Sequence, residues 1–208
     1  IMSNYQDYGW EEGATDAHKY LYKTLLNLLK GDKEKVILDI GCGNGSIANL
    51  LIKEGFTVYG IDASESGIKL ARKSNPENFF LQIIDGSDEI PKELRGINFD
   101  IVISTEVIEH LYSPRDYIRF IKKVMPTKNG KLIISTPYHG YLKNLVMAVM
   151  NKMDKHYTVL WDGGHIKFWS VHTMKTLLNE FDYKVLKVKG SGRIPFLWKS
   201  MFIIAKLK

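Results

Sequence analysis

Cysteine is almost missing from this sequence: Cys42 is the only one among 208 residues. A lone thiol cannot close an internal disulfide or build a four-thiolate zinc site, so a reducing, cytoplasmic setting is expected. No stretch of eighteen uncharged apolar residues occurs, which excludes a membrane-spanning helix of that kind. The first thirty residues are polar and acidic before they turn amphipathic, unlike a secretory leader. Internal repeats and low-complexity runs are absent as well. With 45% hydrophobic and 25% charged residues, disorder, collagen and coiled coil are excluded. Acidic residues are scarce in one half only. Residues 1–111 carry 18 acidic and 11 basic side chains, residues 112–208 only 5 acidic against 18 basic. Such a field steers an anionic partner toward the distal half, unless it is only a solvated lysine surface.

The length fits one domain, with residues 137–169 as an active-site insertion or lid. Apolar runs at strand length alternate with amphipathic stretches. Helices are expected over residues 15–30, 46–54, 64–74, 113–124 and 170–180. Strands are expected over 35–40, 57–61, 79–84, 99–104 and 131–136, with two closing strands over 183–189 and 200–208. That rhythm predicts an α/β, Rossmann-like, doubly wound sheet, mostly parallel.

The first strand runs into Leu38-Asp39-Ile40-Gly41-Cys42-Gly43-Asn44-Gly45 and then a helix. Glycines let the backbone turn sharply and approach a ligand closely. The spacing is not the G-x-G-x-x-G of nicotinamide sites, and no Gly-Lys-Ser/Thr follows as in a P-loop. The second strand ends in Asp62, placed to accept from both hydroxyls of a ribose. The third runs into Asp85-Gly86, where an adenine amino group could donate. Three acids around one cofactor disfavour a pyrophosphate and suit a cationic nucleoside.

These residues, in this order over roughly 35–136, resemble the class I S-adenosylmethionine-dependent methyltransferases. The resemblance implies a seven-stranded sheet with an antiparallel last strand. It implies that Asp39, Gly41, Gly43 and Gly45 line the methionine part of the cofactor, Asp62 the ribose, and Asp85 with Gly86 the adenine. Thr105, after the fourth strand, joins that set. The aromatic residues Tyr5, Tyr8 and Trp10 would fold over the cofactor.

The segment Thr105-Glu106-Val107-Ile108-Glu109-His110-Leu111 is the second informative stretch. If helical, it sets Glu106, Glu109 and His110 on one face. Two carboxylates and an imidazole can hold a divalent cation, with His165 of Gly163-Gly164-His165 as a fourth ligand. The segment, with Ser135-Thr136-Pro137, is similar to the ubiquinone-biosynthesis O-methyltransferases and the type 11–12 methyltransferase families. Its Glu-x-x-Glu-His pattern also resembles the small-RNA 3′-terminal 2′-O-methyltransferases. Without a metal, His110 serves as general base or shapes the pocket. His139, just past the fifth strand, competes with it as base.

Residues 142–153 are apolar and methionine-rich, flanked by Lys143, Lys152 and Lys155. They read as a lid that excludes water, or as an interfacial helix contacting the inner face of a membrane. Trp198 reads as a platform for a nucleic-acid base or as part of a hairpin tip at the substrate mouth. The leading expectation is in-line O-methylation of a small quinol, lipid-linked or saccharide acceptor. A metal-dependent RNA 2′-O-methyltransferase and a non-catalytic cofactor-binding subunit are the alternatives. The sequence does not fix the oligomeric state.

Overall fold

The computed structural model describes residues 7, 9–10, 13, 16–84, 89–157, 159–161 and 163–208. Strands β1 (Val36–Ile40), β2 (Thr57–Asp62), β3 (Phe79–Leu81), β4 (Ile101–Thr105), β5 (Lys131–Pro137), β6 (Tyr183–Ser191) and β7 (Ser200–Leu207) form one sheet. Their order is β3-β2-β1-β4-β5-β7-β6. β7 runs antiparallel to both neighbours, and the remaining pairings are parallel. The expected seven-stranded, mostly parallel sheet is therefore observed.

Helices cover both faces, which is why the central strands are apolar on both sides rather than alternating. Leu38 and Ile40 face one core and Ile37 the other, as strand pleating requires. Helices α1 (Asp16–Leu28), α2 (Ser46–Lys53) and α3 (Glu65–Ala71) lie on one side. Leu21, Leu25, Leu51 and Ile68 from them pack on Ile37, Val58, Ile101 and Ile103. Helices α4 (Pro114–Val124) and α7 (Val171–Glu180) lie on the other. There Tyr117, Ile118, Ile121, Met174 and Leu178 pack on Leu38, Val102, Leu132 and Ile134. Each such buried Leu or Ile contributes about 1.5–3 kcal/mol.

The helix starts follow local chemistry. Pro114 occupies the first turn of α4, where its missing N–H costs nothing. Ser170 and Thr173 form a reciprocal capping box on α7. Between β5 and α7 the chain leaves the sheet and forms α5 (Tyr141–Val149) and α6 (Met153–Tyr157).

Two expected elements differ. The third strand ends at Leu81, because it is an edge strand with only β2 to pair with. The stretch from Thr105 to Leu111 is not an α-helix. Glu106 adopts a left-handed φ of 56°, and only a single 3-10 turn, Ile108–His110, follows. The Glu106 N–H donates to the Ser135 carbonyl and hydroxyl, which pins the chain to β5 instead.

Candidate active site

The sheet reverses its winding between β1 and β4, and such a switch point opens a crevice at the carboxyl ends of the strands. On one bank lies the glycine turn. Gly41 and Gly43 have φ of 79° and 54°, a region that side chains avoid. A Cβ at Gly41 would sit 2.4 Å from Val107 Cγ2, and one at Gly43 2.4 Å from the Trp10 ring. Gly45, with φ of 71°, opens α2. Asp62 closes β2. Its Oδ2 accepts from the Gly43 N–H at 2.7 Å and its Oδ1 from the Ser64 N–H at 2.8 Å. Burial raises the Asp62 pKa, and those backbone donors oppose the rise.

Asp39 is 1% exposed, and its Oδ1 has no hydrogen-bond partner. Burial, then the charge of Asp62, pushes its carboxyl up to about 8. Thr105 ends β4, half-buried. Of the aromatic N-terminal residues, Trp10 lies against Gly43 and Gly67, and its backbone N–H donates to Ser66 Oγ. Asp7 accepts from both Ser66 and Ser64, chiefly from Ser66, and is held well below the usual carboxylate range. Asp85, Gly86, Tyr5 and Tyr8 lie outside the described residues.

The other bank is acidic and imidazole-rich. Glu109 is fully buried. Its Oε2 accepts from Thr136 Oγ1 at 3.0 Å, and its Oε1 has no partner. Burial and then the charge of Glu106 push its pKa up. Its backbone carbonyl receives the N–H groups of Ile166 and Lys167, which draws the 163–167 loop over it. His110 Nδ1 lies 3.2 Å from the Gly164 carbonyl, and its ring meets that of His165 edge-on at 4.9 Å. Burial lowers both imidazole pKa values, that of His165 to about 4.

Glu109, His110 and His165 each present a ligand atom within 4.8 Å of the others. Glu106, counted with them from spacing, is turned elsewhere. Its oxygens accept from Ser135 Oγ at 2.7 Å and Ser200 Oγ at 3.0 Å, and burial raises its pKa to about 7. The four-residue ligand set is thus three residues in space, because the helix that would have aligned Glu106 does not form.

His139 leaves β5 and is 7% exposed, with neither ring nitrogen hydrogen-bonded. Burial, then the nearby Lys143, lowers its pKa to about 4. His156 from α6 packs 5.2 Å from it, and Phe168 5.1 Å from it. Nothing in the spacing marked His156, because its approach depends on how α5 and α6 fold back. The same holds for Lys143, read from sequence as a flanking surface charge. It is 4% exposed. Trp198 meets Tyr138 edge-on and stacks on Phe196, and lies against Gly190, as part of the β6–β7 hairpin end.

With β7 reversed and the crevice floored by glycine, the architecture is that of the S-adenosylmethionine-dependent methyltransferases. The chain belongs to the methyltransferase domain family, whose model matches residues 14–188. It is 30% identical over 161 residues to the mitochondrial ubiquinone biosynthesis O-methyltransferase of Schizosaccharomyces pombe, covering 75% of this chain and 57% of that one. It is 34% identical over 168 residues to the ubiquinone biosynthesis O-methyltransferase of Roseobacter denitrificans, covering 78% and 65%. The chain thus spans between half and two thirds of the length of these relatives. Among solved structures it is similar to the magnesium protoporphyrin IX methyltransferase of Synechocystis with bound S-adenosylhomocysteine. The TM-score is 0.69 at 18% identity, over 95% of this chain and 90% of that one.

Proposed function

We propose that this chain methylates a hydroxyl group of a small organic acceptor, with S-adenosylmethionine as donor and a divalent cation assisting. One observation carries the reading. Two buried carboxyl groups, Asp39 and Glu109, each keep one oxygen without a hydrogen-bond partner beside the switch point. Buried polar atoms are normally satisfied, and such exceptions mark ligand sites. The O-methyltransferase relatives support oxygen as the acceptor atom.

S-adenosylmethionine supplies an electrophilic methyl carbon on a sulfonium centre. The chain's contribution is binding and alignment. The glycine turn gives backbone room, and both Asp62 oxygens retain a lone pair for a ribose diol. A cationic donor near Asp39 favours its ionised form and offsets the cost of burying it. Asp85, Gly86 and Thr105 complete the cofactor set in this reading. Glu109, His110 and His165 would hold the cation, whose chemistry is to acidify a bound hydroxyl. His139, kept neutral by burial, takes the hydroxyl proton.

The segment 137–169 acts as lid. Its exposed Tyr141, Val149 and Leu160 support peripheral contact with a lipid surface. No helix among the described residues is long and apolar enough to cross a membrane.

Calorimetry with S-adenosylhomocysteine, with and without Mg²⁺, Mn²⁺ or Zn²⁺, tests the reading. Cofactor heat is expected to vanish in Asp62→Ala. Metal heat is expected to vanish in His165→Ala with cofactor heat retained. No cofactor heat in the unaltered chain overturns the methyltransferase reading. No metal heat removes the cation and leaves His139 as sole assistance.

A further inference from the structure

Helix α5 is packed inside out. Tyr141, Leu142, Leu145 and Val149 are exposed, and Lys143 is the one buried residue of the helix. Lysine is almost never buried without a partner. Its position aggravates the cost, because the first turn is the positive end of the helix dipole. Of its three donors, one reaches the Lys199 carbonyl at 3.4 Å, a long contact.

Lys143 lines a cleft of about 320 Å³ together with Val146, Met147, Ile194 and Leu197. Arg193 forms part of the same wall. Among the described residues no ion pair joins either cation to a carboxylate. Glu106 attracts Lys143 from a distance, but its oxygens are already engaged by Ser135 and Ser200. Arg193 disfavours the charge on Lys143, as burial does more strongly, and together they bring its pKa down to about 8. Two cations therefore converge on an apolar cleft that supplies no anion.

We infer that the α5–hairpin cleft, through Lys143 and Arg193, binds the anionic group of the methyl acceptor, a carboxylate or phosphate on an otherwise apolar molecule. The inference rests on the acceptor reading above and names the acceptor's class. Val146, Met147, Ile194 and Leu197 take the apolar body, and methionine adapts to its shape. Lys143 shares the Lys199 carbonyl with the Tyr138 N–H, next in the chain to His139, so the cleft adjoins the imidazole bank.

The test uses the unaltered chain with octyl phosphate, octanoate and octanol, kept as monomers, and reads binding by calorimetry. Both anions are expected to bind about tenfold or more tightly than octanol, the gain of a charge-assisted contact. Lys143→Met keeps the stem and should remove that preference. Arg193→Gln is exposed, cannot unfold the chain, and should weaken the anions several-fold. S-adenosylhomocysteine affinity should stay unchanged in both variants. Equal binding of octanol and the anions, or full anion preference in both variants, overturns the inference. Binding to phosphatidylglycerol vesicles but not to monomeric octyl phosphate also overturns it, in favour of surface adsorption. Failure to bind S-adenosylhomocysteine at all would instead strike the methyltransferase reading.

Discussion

On the glycine bank of the crevice, Asp62 has a backbone N–H on each of its oxygens. On the opposite bank, Glu109 has one bonded oxygen of two, and His139 has no bonded nitrogen at all. The first bank is built mostly from main chain, short turns and regular helix starts, with the buried Asp39 Oδ1 as its one unmet oxygen among the described residues. The second is built from side chains on a turn and an insertion. Main-chain donors hold their positions whether or not a ligand is present. Side chains with unmet polar atoms raise the cost of the empty state and lower that of the filled one. The difference teaches where this molecule is shaped for one fixed ligand and where its chemistry depends on what arrives.

The sharpest way to break the contrast is to spoil the main-chain bank. Gly41→Val forces a β-branched residue to φ of 79° with its Cβ 2.4 Å from Val107. The conformation and the clash together should cost roughly 2–4 kcal/mol. S-adenosylhomocysteine binding should become undetectable by calorimetry, while metal heat on the other bank persists if the chain folds. Retained cofactor affinity would mean the turn is not the floor of the site.

A smaller effect comes from the buried acids. The Asp39 carboxyl, ordinarily near 3.8, titrates at about 8 when folded, and that of Glu106, ordinarily near 4.5, at about 7. The folded chain therefore holds protons that the unfolded chain releases. Stability without ligand should be greatest below pH 4 as far as these groups go, and fall as pH rises toward 8. The slope is at most about 1.4 kcal/mol per pH unit for each group. Asp39→Asn should flatten its share of the slope and stabilise the ligand-free chain at pH 8. Urea midpoints between pH 5 and 8 measure this, and an unchanged slope would show that Asp39 is not the titrating group.

The smallest effect lies at the start of α7, one residue past the Trp169 carbonyl that holds the His139 N–H. Ser170→Ala removes the capping box of α7, at a cost of about 1 kcal/mol. For a chain of this size that lowers Tm by about 2–4 °C. Cofactor and metal heats should not change; if they do, α7 positions the site more directly than its packing indicates.

The glycine bank was legible in the sequence because its parts are local. A strand, three spaced glycines and an acid at the next strand end lie within thirty residues, and each restricts the backbone by itself. The strands of the sheet were legible for the same reason, while the reversed last strand came from the resemblance. The imidazole bank was only half legible. The spacing of Glu106, Glu109 and His110 imitates a helix face, but the N–H of Glu106 is claimed by Ser135, twenty-nine residues away. His165 was recoverable from its flanking glycines. Lys143 and His156 were not, since their burial depends on packing of the insertion that no periodicity records. Lys143 even reads as the opposite of what it is, because charge on an apolar helix usually marks the wet side.

The reversed strand has a consequence in time. β7 lies between β5 and β6 and pairs Leu132 with Ala205, so the sheet beyond β5 is closed by a segment synthesised long after its neighbour. It also carries Ser200, whose hydroxyl holds Glu106 and lies 3.3 Å from the Tyr20 hydroxyl of α1. Non-local pairings of this kind form late. The glycine turn itself lies early, at residues 41–45. The imidazole bank cannot take its final shape until residues 200–207 have been made. A nascent chain therefore contains its glycine turn long before the strand that fixes Glu106 opposite it.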